Sequence, residues 1–141
     1  GYMRAWQEAK HEADADVSLR LPVYVADGHD AALSEPEESF MRQFRRLGGQ
    51  LATSTARAGA DDAKGRAERA EELASLTWDR VQREKVAVGT PDMVVERIQE
   101  MKEALQLSGI VAEFNAGELL PPEAVARSLR LFCERVVPAF R

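Results

Sequence analysis

The chain has 141 residues, of which 45% are hydrophobic and 30% charged, with a net charge of −5 and a pI near 5.2. That length sets one domain with a real core as the expectation, and the acidic balance gives no support to nucleic-acid binding, which selects a basic surface. The lone cysteine, Cys133, excludes an internal disulfide and any metal site of several cysteines. No apolar run approaches the ~18 residues of a membrane span, and a cytoplasmic location is the expectation.

Residues 2–13 read as a helix with Tyr2, Ala5, Trp6 and Ala9 on one side, and they lack the apolar stretch of a secretory signal. The chain begins as though within a helix. In VSLRLPVYVAD, Val17, Leu19, Leu21, Val23 and Val25 repeat with period two and predict a strand over 17–26. Pro22 inside that run points to an irregular or edge position. DGHD, 27–30, is a turn cluster.

A long helical segment follows. Pro36 suits a first helical turn, and Phe40, Phe44, Leu47 and Leu51 form one helical face. Gly48 and Gly49 interrupt it and predict a bend or joint. The stretch 59–85 is charged, Ala-rich and helical in two pieces, with 58–65 the softest part. Its charge run over 61–72 reads as a solvated face.

The last third is the most regular. Val86–Val88 predicts a short strand. Thr90 is a good N-cap, Pro91 suits the first helical position, and Asp92 favours the positive helix end. Val94, Ile98, Met101 and Leu105 form the buried face of that helix, and GIVAEF, 109–114, predicts an apolar strand. A helix over 122–137 is expected to bury Val125, Leu129, Phe132 and Val136. Strand and helix alternating through short returns predict parallel strands in an α/β fold.

These residues carry a family likeness. The run VAVGTPDMVVERIQEMKEALQLSGIVAEFNAGELLPPEAVARSLRLFCERVVPAFR, together with LRLPVYVAD and EPEESFMRQFRR upstream, resembles the C-terminal portion of the luciferase-like flavin-dependent monooxygenases. The resemblance implies part of a (β/α)8 TIM-type barrel in a single partial-barrel domain over 1–141. Residues 17–26, 86–88 and 109–114 would be its sixth, seventh and eighth strands, and 27–85 a helical insert between two of them. It implies reduced FMN or a deazaflavin as cofactor, O2 and a small organic substrate, and a homo-oligomer. A full barrel takes roughly 200 residues or more, and signals for its first five strands are absent, so no catalytic residue carries over. The implied partner is the remaining barrel segment or a second chain, and no turnover is expected of the 141 residues alone.

In a barrel, function sits on loops after the carboxyl ends of strands, which singles out Thr90, Glu113 and Asn115 as candidate cofactor-binding residues. Gly89-Thr90-Pro91 is first of all a helix cap, and Pro91 has no N–H to give. A helix N-terminus also suits an anion, so a contact from Thr90 to cofactor or substrate is the second reading. Glu113 and Asn115, two apart, would share a face of the last strand. An inward Glu113 needs a partner, either an arginine in a structural pair or a flavin edge. His29 reads as a solvated loop residue rather than a proton shuttle, and Cys133 as inert packing on an apolar face. Trp6 and Trp78 read as packing anchors, Trp78 with the further option of covering a ring system. There is no ligand-spaced His/Cys cluster for a metal. The alternative to an enzyme part is a non-catalytic α/β module that associates with itself or completes a partner chain.

Overall fold

β1, Ser18–Val25, alternates its side chains between two faces that are both covered at its carboxyl end, and the architecture follows from that. The computed structural model describes residues 2–12, 15–57 and 63–141. Leu21, Val23 and Val25 enter one core with Ala87, Val94, Ile98, Met101 and Val136, whereas Tyr24 enters the other with Phe40, Phe44, Val81, Val86 and Val88. β2, Ala87–Gly89, and β3, Gly109–Glu113, both run parallel to β1 in the order β2-β1-β3. Three parallel strands with flanking helices fit part of a TIM-type fold. One detail of order differs: in a closed barrel successive strands are neighbours, whereas here β3 lies on the side of β1 that a barrel gives to the preceding strand.

The two ladders are staggered. β3 pairs with Ser18–Pro22 and β2 with Val23–Val25, so they meet at Pro22. The Ala26 amide donates to Gly89 O at 3.2 Å, and N–H groups alternate sides along a strand, so residue 22 would aim its N–H at a level where β2 has not begun. The proline expected at an edge therefore sits in the middle strand without losing a bond. The Val25 amide points the other way, above the end of β3. It donates instead to the fully buried Ser128 Oγ at 2.8 Å.

Between β1 and β2 run α2 (His29–Ser34), α3 (Glu37–Arg57), α4 (Ala63–Ala74) and α5 (Trp78–Glu84). α3 passes through Gly48-Gly49 without a break in the helix. A Cβ on Gly48 would stand 3.3 Å from Ala70 O and from Leu73 Cβ, so the residue permits close approach of α4. Residues 58–62 of the expected soft stretch lie outside the described residues. Trp78 is a packing anchor: Nε1 donates to Leu33 O at 3.0 Å and the ring meets Phe40 edge-on. At the N-terminus α1, Tyr2–Glu8, is shorter than expected, and Trp6 stacks between Tyr2 and His11.

α6, Pro91–Leu105, starts at Thr90 as predicted and covers the Val23 face. It ends with Gln106 in the left-handed region and the Leu107 amide bonded to Lys102 O at 3.0 Å, a Schellman closure. That turn brings Leu107 into the core in place of Leu105, which is exposed. α7, Pro122–Leu131, continues into a π-helical turn, Phe132–Val136, and a 3-10 turn, Val137–Phe140. Val136 is buried as predicted and Val125 and Phe132 are partly buried, but Ala124 and Ser128 complete the buried line, leaving Leu129 44% exposed and Cys133 exposed. The cause is the short Val25–Ser128 contact, which only a small residue fits, and the extra residue of the π turn, which rotates the helix face. Inert core packing of Cys133 is thereby corrected.

Three substitutions test this packing. Gly117 has φ +87, and a Cβ there would stand 1.7 Å from Ser39 O. Gly117→Ala is expected to cost about 2–4 kcal/mol in urea unfolding, while Gly49→Ala, with nothing within 4 Å of the added carbon, should gain roughly 0.5–1 kcal/mol. Ser128→Ala should cost about 1–3 kcal/mol by orphaning the Val25 amide; an unchanged denaturation midpoint would contradict the role given to that bond.

Candidate functional site

The carboxyl ends of β1 and β2 lie side by side, and the chain leaves them toward opposite faces of the sheet. In open α/β sheets ligands bind outside the carboxyl ends of the strands, at the switch point, which in the order β2-β1-β3 lies between β1 and β3. Gly89, at φ +154, forms the corner of β2, and a Cβ there would press on Met93 Cβ at 2.7 Å. The turn is therefore tight because the first turn of α6 packs against its own approach. Thr90 is extended and its hydroxyl makes no capping bond, although its carbonyl accepts from the Val94 amide at 3.0 Å. Its oxygen is the open group of the Gly-Thr-Pro corner.

Glu113 closes on Arg20, with Nη2 at 2.7 Å from Oε1 and Nε at 3.1 Å from Oε2. The pair is partly exposed on the sheet face that also carries Val111, itself 58% exposed. β3 ends at Glu113, so Asn115 lies in the following turn, where its Oδ1 accepts from the Leu120 amide at 3.1 Å. That loop is fixed from below. The buried Ser39 Oγ donates to Ala116 O at 2.7 Å and accepts from the Leu119 amide at 3.0 Å, and Arg42 Nη1 donates to Gly117 O at 2.9 Å.

The structure does not gather the three predicted residues. Glu113 is level with Pro22 and Gly89 with Val25, on opposite sides of β1. That separates Glu113 from the Thr90 corner by roughly 10 Å along the strands and about 10 Å across them. His29 is exposed beside Asp30, with Nδ1 at 3.1 Å from Oδ1. Among the described residues no group of three or more His, Cys, Asp or Glu is placed to hold a metal, and no helix is long and apolar enough to cross a membrane.

A cleft of about 390 Å³ lies at the same end of the sheet, between the end of β1, α2 and α7. Tyr24, 1% exposed, donates its hydroxyl to Glu35 Oε2, and Arg127 Nη2 stands 3.5 Å from the same oxygen. Asp27 and Arg130 also line the cleft. Desolvation, followed by the neighbouring Glu35 carboxylate, pushes the Tyr24 phenol up to about 12. Sequence reasoning passed over these residues. Tyr24 had a signal, since it faces away from Leu21, Val23 and Val25, but its link to α7 spans most of the chain.

The chain matches the family model described as luciferase-like monooxygenase over residues 2–107. It belongs to that family. Among solved structures, this luciferase-like monooxygenase chain is similar to the monooxygenase RslO1 from Streptomyces bottropensis, at 25% identity and a TM-score of 0.56. The likeness covers 99% of this chain and 36% of that one, so the chain spans little more than a third of that protein's length. No curated protein matches.

The raised Tyr24 value carries a sign. A phenol that holds its proton to about 12 when folded and to about 10 when unfolded adds stability that is whole below pH 10. That stability is lost as pH rises through 12. Ultraviolet titration should show a phenol ionising near pH 12 that Tyr24→Phe removes, and Tyr24→Phe should flatten the fall of stability between pH 10 and 12; an identical slope in both proteins would refute the assignment.

Proposed function

We propose that the chain supplies the C-terminal part of a flavin-dependent monooxygenase, in which reduced flavin and O2 oxidise a small organic substrate. The family match over residues 2–107 carries this reading, because the family generally works with reduced flavin. Bound flavin would supply the redox chemistry, and the protein its placement and the exclusion of water. The Thr90 hydroxyl, free of the cap, is suited to contact an oxygen of the flavin, FMN or a deazaflavin. Glu113 is paired with Arg20, and Asn115 has its amide hydrogens left to donate once Oδ1 is bound to Leu120. α2–α5 cover the Tyr24 face and act as the shield over the site. Turnover requires the remaining barrel segment, and a cytoplasmic homo-oligomer is part of the same proposal.

The test is titration of FMN and of a deazaflavin with the chain, read by flavin fluorescence. One of the two is expected to give saturable quenching, weakened about threefold to tenfold by Thr90→Val, with no substrate oxidation by the 141 residues alone. Silence with both flavins would overturn the flavin assignment, and turnover would overturn the need for further strands. A second reading, a non-catalytic module that self-associates, rests on exposed Val111 and the uncovered side of β3. Sedimentation showing a dimer with no flavin response would favour it.

A further inference from the structure

The cleft at the carboxyl end of β1 has walls of opposite charge. Asp27 and Glu35 come from the β1 loop and the end of α2, and Arg127 and Arg130 from α7. The two arginines are three apart and share a surface of that helix. Glu35 is already engaged by Tyr24 and Arg127. Asp27 and Arg130 make no ion pair among the described residues, although both line the same cleft. Between them the lining is apolar, from Val25, Ala26, Ala31 and Leu131. The volume, about 390 Å³, is in the range that takes a small organic molecule.

A plain oxyanion would satisfy Arg130 but face the carboxylates of Asp27 and Glu35. A plain amine would satisfy Asp27 and meet two guanidinium groups. A ligand carrying an acid and a hydrogen-bond donor on one hydrocarbon body satisfies both walls and covers the apolar lining. We infer that the cleft binds an amphiphilic amino or hydroxy acid, its carboxylate on Arg130 with support from Arg127, its ammonium or hydroxyl on Asp27, and its body against Ala26, Ala31 and Leu131. The pairing of a planar guanidinium with a carboxylate is bidentate and strong. This site does not depend on flavin, so its test stands apart from that of the monooxygenase reading.

The full chain is titrated by calorimetry with L-phenylalanine, with hydrocinnamate (no ammonium), with phenethylamine (no carboxylate) and with inorganic phosphate. L-Phenylalanine is expected to bind saturably and about tenfold tighter than either single-function analogue. Arg130→Gln should weaken it about tenfold, and Asp27→Asn should abolish the preference for L-phenylalanine over hydrocinnamate. Both residues are exposed, and unchanged thermal melting confirms that each variant is folded. Absence of saturable L-phenylalanine binding, equal binding of hydrocinnamate or phosphate, or indifference to Arg130→Gln would each overturn the inference.

Discussion

Pro22 sets the geometry of the sheet. A residue without an N–H cannot serve a full ladder on both sides, and the two ladders pass each other at that residue. Below it β1 is paired to β3, and above it to β2. The stagger strips the upper half of β1 of a neighbour on the β3 side, and α7 fills the place with Ser128 against the Val25 amide. The position of α7 over the end of β1, and with it one wall of the cleft, follows from β3 ending level with Pro22.

The second fixed point is Tyr24. Its ring belongs to the core beneath α3, while its hydroxyl reaches Glu35 at the end of α2. Arg127 joins the same carboxylate from α7. Strand, insert and last helix therefore meet at one carboxylate, next to the surface where a ligand would enter. Exposed ion pairs contribute little on their own, but the buried phenol anchors this one. The 115–120 loop is held separately, through Ser39, so the two sides of the site are built on different supports.

Local signals were readable. Period two in VSLRLPVYV, Thr-Pro-Asp at the start of α6 and the apolar run of β3 all produced elements close to those found. The α/β class follows from the order of those elements, and the family from the resemblance of the runs 19–27, 35–46 and 86–141. Where the reading failed, long-range packing decided. Gly48 looks like a helix breaker until α4 is placed against it. Leu129 looks buried until the Val25 contact selects Ser128 instead. Tyr24, Glu35, Arg127 and Arg130 have no shared motif, because their proximity depends on β1 and α7 touching, which no local pattern encodes. Glu113 was legible as a carboxylate in need of an arginine, but not which one, since Arg20 is 93 residues away.

The pairing pattern also bears on how the chain is made. Among the described residues β1 pairs only with strands that follow it in the chain, β2 beyond four helices and β3 later still. Contacts this distant in sequence are slow to form because loop closure precedes any reward. Until those pairings close, the Val- and Leu-rich β1 is a sticky segment of the kind that seeds association between chains. Pro22 at its centre interrupts that stickiness. The residue that staggers the finished sheet also acts as a gatekeeper for the unfinished one.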